Sequence, residues 1–139
     1  MASTAGVCNS FKTELFNATH NLSTDTIKVA LYTTSATMTP STTTAYSATN
    51  EVSGTGYTAG GATATGNTVQ LNTNTAAFTI ANVAWPTSTI TAACYALVYN
   101  ASKSNKAIAI IDFGGAFTDT NGTFTIPMPA ASTGLVTYS

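Results

Sequence analysis

Side chains that could move a proton near neutral pH are few in this chain: one histidine, His20, and five carboxylates, Glu14, Asp25, Glu51, Asp112 and Asp119. A Ser-His-acid site needs its imidazole beside a placed serine and a carboxylate. The neighbours of His20 supply Glu14 and Asn17 but no base–nucleophile pair, so a surface or capping histidine is expected. Glycosidic chemistry needs two carboxyl groups in one cleft, and here the five stand singly along the chain. No second histidine and no Cys or Asp cluster accompanies His20, so no zinc-ligand spacing exists. Cys8 and Cys94 are far apart and are expected as reduced, buried thiols. The residue types therefore give no catalytic, cofactor or metal candidate, and a non-enzymatic protein is expected.

Two short motifs invite chemistry and fail on mechanism. The glycine-rich run Val52-Ser53-Gly54-Thr55-Gly56-Tyr57-Thr58-Ala59-Gly60-Gly61 lacks the terminal Gly-Lys-Ser/Thr of a phosphate loop. It also lacks the strand and helix that flank a dinucleotide turn, so a structural loop is expected. Asp112-Phe113-Gly114 matches a kinase tripeptide by letters only, without the other kinase signatures. Trp85, next to Pro86, has the right face for stacking on a sugar ring. Its place in the alternation Phe78, Ile80, Val83, Trp85 favours a core edge instead.

Composition narrows the partners. Of 139 residues only nine are charged, 6 %, with no arginine and a net charge of −1; a globular protein usually carries about 25 %. Four scattered lysines cannot form the basic stripe that a nucleic acid demands, nor draw the chain to an anionic membrane. With 30 threonines and 23 alanines the chain is unusual, yet 44 % is apolar and the mean hydropathy is +0.18. A neutral chain of this size buries about two thirds of its unfolded surface, which is enough for one core. Residues 1–139 are read as one folded domain. No apolar run reaches membrane-spanning length. The first residues lack a basic region followed by an apolar stretch, so folding in a cytoplasm is expected.

The elements that position these residues follow from periodicity. Phe11, Leu15, Ala18 and Leu22 share a helical stripe, which predicts one helix over about 9–21, capped by Asn9 or Ser10. Phe16 lies off that stripe, on the face of Lys12 and His20, and so faces a second layer or a partner subunit. From Ile27 the period is two: Ile27, Val29 and Leu31 alternate with Lys28, Ala30 and Tyr32, a half-buried strand. Residues 34–61 hold no long apolar run and predict a long loop or arm, a feature that is either functional or mobile. Strand candidates then follow at 66–72, 76–83, 89–99, 106–113, 123–128 and 135–138. Asn121-Gly122 predicts a two-residue hairpin, and Ser102-Lys103-Ser104-Asn105 another turn. The predicted fold is mainly β: an antiparallel β-sandwich or jelly-roll-like barrel with one N-terminal helix.

Tyrosine favours interfaces because it buries a large ring with a polar tip, and Tyr46 and Tyr57 lie in the long loop, away from any evident core. The run Thr43–Gly61, with its distinctive Asn50-Glu51-Val52-Ser53-Gly54-Thr55-Gly56-Tyr57, resembles a group of small tailed-bacteriophage virion proteins. Cys8–Leu15, Ala30-Leu31-Tyr32-Thr33, Thr89–Ala92, Ala96–Asn100 and Ile111–Gly115 match the same group in order, so the resemblance spans nearly the whole chain. It departs at Ala93-Cys94, where members often carry an arginine. The resemblance implies a virion component without enzymatic activity.

Two functions fit. One is a capsid decoration or cement protein, a cyclic oligomer such as a trimer that bridges major capsid subunits, with the 34–61 arm reaching a neighbour. The other is a tail, baseplate or fibre component that binds a host glycan or another tail protein. The candidate interface residues are Phe16, Tyr46, Glu51, Tyr57, Lys103 and Lys106. The expected partners are other copies of the chain and the capsid protein, with no cofactor, nucleic acid or membrane.

Overall fold

The computed structural model describes residues 6–139. Two antiparallel sheets and one short helix make a sandwich-like, mainly β fold. The larger sheet has the order β1-β7-β6-β2-β3, built from β1 (Gly6–Val7), β2 (Ile27–Thr33), β3 (Ala62–Thr63), β6 (Val83–Asn100) and β7 (Lys106–Ile126). The smaller runs β4-β5-β8, from β4 (Thr68–Asn72), β5 (Thr75–Thr79) and β8 (Val136–Tyr138). β1 and β3 end the larger sheet without pairing to each other, so no barrel closes. Among the described residues no helix is long and apolar enough to cross a membrane.

The helix α1 spans Asn9–Phe16, eight residues, and stops short of the predicted end near 21. Its cap position is Cys8 rather than Asn9 or Ser10, and no side chain caps it. Asn17, Thr19, His20 and Asn21 are weak helix formers. Ala18 turns left-handed at φ +55°, and the Thr19 N–H returns to the Glu14 carbonyl at 3.0 Å, closing the helix end. This early stop turns the chain inward, so His20 packs on Phe11 with ring centroids 4.8 Å apart. Its side chain is fully shielded from solvent, which corrects the surface position expected for it.

β2 is buried on both faces, not one. Ile27, Val29 and Leu31 are inaccessible as their alternation predicts, but Ala30 and Tyr32 are buried as well. The cause is the 34–61 segment, which folds back along β2. The Val52 N–H donates to the Leu31 carbonyl and the Thr33 N–H to the Asn50 carbonyl, both at 3.0 Å. The segment is irregular, as predicted, yet tied down. Two glycines allow the close approach: a Cβ on Gly54 would sit 2.0 Å from the Thr89 carbonyl oxygen, and one on Gly61 1.8 Å from that of Val29. The glycine-rich run is thus a structural device for backbone contact.

β6 and β7 form a long hairpin that turns at 101–105, where Ser104 and Asn105 take positive φ. Asn121-Gly122 makes no hairpin. Phe117 pairs with Ala93 and Phe124 with Trp85, so both flanking segments lie against β6 and β7 runs through. The positive φ of Asn121 absorbs an irregularity in the register. Asp119 pins this stretch, accepting from the Ser88 hydroxyl at 2.5 Å and the Ile90 N–H at 2.7 Å. Trp85 is buried against Tyr57 and Phe124, so its face is not available to a sugar. Cys8 and Cys94 are buried free thiols, and burial pushes Cys8 up to about 11.

Candidate functional site

Three side-chain groups stand out in this fold, and two of them turn out to be internal. The first joins charges distant in sequence. Glu14 on α1 receives the Lys106 ammonium at 2.8 Å and the His20 Nε2 at 3.2 Å. His20 Nδ1 lies 3.0 Å from the Asn100 amide nitrogen, which also donates to Asp25 at 2.7 Å. Lys103 stands 4.0 Å from Asp25. Because Asn100 offers a donor, His20 Nδ1 accepts, and Nε2–H faces Glu14. Both ring nitrogens are engaged, and neither faces a nucleophile. Partial burial raises the Glu14 pKa, but hydrogen bonds from Lys106 and His20 outweigh it and hold the carboxyl below its ordinary range. Asp25 is likewise lowered, burial being outweighed by the Asn100 and Asn21 hydrogen bonds and the Lys103 charge. Four of the nine charged residues thus tie α1 to the β6–β7 turn.

The second group is a tyrosine clasp around Glu51. Its carboxylate accepts from the Tyr46 and Tyr57 hydroxyls, each at 2.6 Å, and from the Gly60 N–H at 2.8 Å. Tyr57 Oη in turn accepts the Leu31 N–H at 2.9 Å, and Tyr99 donates to the Gly60 carbonyl at 2.6 Å. Tyr46 stacks on Tyr99 at 4.9 Å. Burial and the bond to Glu51 push Tyr46 up to about 12 and raise Tyr57 further. The structure therefore brings Tyr46, Glu51 and Tyr57 together and spends their polar atoms within the chain. Lys103 and Lys106 belong to the α1 network, with their side chains 40 % exposed.

The third group opens outward. Between α1 and the small sheet lies a groove of about 600 Å³, floored by Phe11 and Phe78 and flanked by Leu15, Phe16, Val69 and Tyr138. Among the described residues Lys12 is the one charged side chain in its lining. Leu71, paired across from the lining residue Ala76, extends the apolar surface along β4. Phe16 is 80 % exposed, Leu71 70 %, Tyr138 61 % and Val69 50 %. Among the described residues six large apolar side chains are exposed; four of them line this groove, Leu71 adjoins it on β4, and Phe117 is apart on β7. Scattered exposed apolar residues are ordinary, whereas a contiguous patch marks an interaction surface.

Of the six residues picked from sequence, only Phe16 lies in this groove. Leu15 belongs to the predicted apolar stripe of the helix, and Val69, Leu71 and Tyr138 are not among the six. Val69 and Leu71 did carry a signal, two apolar residues alternating in a strand otherwise made of Thr, Gln and Asn. What covers that face is decided by α1 and β8, far away in the chain. Comparison with protein-family models, with curated proteins and with solved structures finds no match to this chain.

Proposed function

We propose that this chain is a structural protein of a tailed-bacteriophage particle, a decoration or cement protein that stabilises the head by bridging major capsid subunits. One observation carries the assembly role: among the described residues, four of the six exposed large apolar side chains of an almost uncharged domain line one groove and a fifth, Leu71, adjoins it. A surface of that kind favours protein association over recognition of charged ligands. The virion setting rests on the resemblance of Asn50–Tyr57 and the other matched segments to small phage virion proteins. With the Glu51 clasp holding 34–61 against β2, that segment acts as a rigid face, not a free arm.

Stoichiometry in the purified particle tests this directly. A cement protein is present in hundreds of copies, and particles lacking it lose DNA at lower temperature. A few copies per particle, with heads of unchanged heat resistance, would place the protein in the tail and refute the cement reading. Absence from the particle would refute the virion setting altogether.

A further inference from the structure

We propose that β4 is the seam of a two-fold dimer, in which β4 of one copy adds antiparallel to β4 of a second and joins their small sheets into one six-stranded sheet. The inference rests on the assembly role above and names the occupant of the groove's β4 side. Among the described residues four strands end the two sheets, and they differ in length; β7 beyond Ile110 is also unpaired on its outer side, but it carries Asp112 and Asp119 and an irregular register. β1 and β3 have two residues each and β8 has three, whereas β4 has five, with no charge and no proline. Short or charged edge strands discourage pairing, and β4 has neither protection.

The backbone is set for it. A two-residue turn, Thr73-Asn74, joins the paired residues Asn72 and Thr75. In the alternation of an antiparallel ladder closed by such a turn, Asn72 and Gln70 bond toward β5, and the N–H and C=O groups of Val69 and Leu71 face the open edge. Two copies related by a two-fold axis through Gln70 set Val69 opposite Leu71 of the other copy, and Leu71 opposite Val69. Each open-edge pair can then exchange both of its hydrogen bonds. All four apolar side chains fall on one face, between the two α1 helices, where half their surface or more is now in water.

Edge geometry and charge favour a second copy as the occupant. At the seam itself Val69 and Leu71, 50 % and 70 % exposed, are the apolar side chains that a second copy would cover. A net charge of −1 sets almost no repulsion against a like copy, and a symmetric edge is self-complementary.

The register gives a specific test. Gln70 sits on the axis as a non-hydrogen-bonded pair, with a Cα separation of about 4.5 Å that a disulfide can span. Gln70→Cys is therefore expected to link into dimers under mild oxidation, while Thr68→Cys, whose cross-axis neighbour is Asn72, is not. In sedimentation over micromolar to 100 µM protein the unmodified chain is expected at twice 14.1 kDa. Leu71→Lys, at an exposed position whose folding circular dichroism can check, should weaken the dimer at least tenfold. A monomer throughout that range, a trimer or larger ring, or a dimer indifferent to Leu71→Lys and to cysteine position would overturn the inference. A monomeric protein still incorporated fully into particles would overturn this seam alone and leave the assembly role standing. Absence from particles, with the dimer intact, would do the reverse.

Discussion

Replacing Glu51 with alanine removes the acceptor of three hydrogen bonds, from Tyr46, Tyr57 and the Gly60 N–H. A hydrogen bond to a charged group contributes about 1.5–3 kcal/mol. The site is only partly buried, so water recovers part of each, and the summed cost is about 3 kcal/mol. For a domain of this size that lowers the melting temperature by about 6–12 °C. The loss should also appear locally, because Glu51 holds the segment that covers β2. Amide exchange in peptides from 42–60 is expected to quicken about a hundredfold. Peptides from the β6–β7 turn should slow or quicken only with global stability. Glu51→Gln keeps the size and one acceptor oxygen and should lose less. A melting shift under about 2 °C, with unchanged exchange in 42–60, would refute the clasp as the element that orders this segment.

Other perturbations have equally definite signs. Tyr46 is raised to about 12 when folded, so its contribution is whole below pH 10 and drains as pH rises toward 12. Alkaline titration followed by tyrosinate absorbance and circular dichroism should show release of 34–61 in that window; ionisation of all six tyrosines near pH 10 would contradict it. Glu14 and Asp25 are lowered, so their stabilisation is present above about pH 4.5 and is lost as pH falls through their folded values. Denaturant midpoints measured between pH 7 and 3 should fall, and Glu14→Gln should flatten that slope. Gly61→Ala places a methyl 1.8 Å from the Val29 carbonyl oxygen at φ +79° and should cost about 3 kcal/mol or more. Gly115→Ala, with no heavy atom within 4 Å of the added carbon, is its control and should melt near the wild-type temperature.

Local pattern made the fold class legible. Alternation in Ile27–Thr33, turn residues at 102–105 and the regular spacing of short apolar runs all follow from the two-residue period of a strand. The helix was legible in kind but not in length, because a stripe through Leu22 continues on paper past the point where Ala18 turns left-handed. The Asn121-Gly122 signal misled for a related reason. A turn propensity selects a hairpin only if the flanking strands pair with each other, and here both pair with β6.

By itself the sequence determined a neutral, apolar-rich β domain, the absence of a basic stripe, and a glycine run without the chemistry of a phosphate loop. Tertiary structure alone decided where the few polar groups went. Glu14, His20, Asp25, Asn100, Lys103 and Lys106 become one network because β2, β6 and β7 return to the same end as α1. The groove likewise draws on Leu15 and Phe16, Val69 and Leu71, and Tyr138, three stretches separated by more than fifty residues each. Periodicity assigns a side chain to a face; only the packing of distant strands decides whether that face meets core, loop or water.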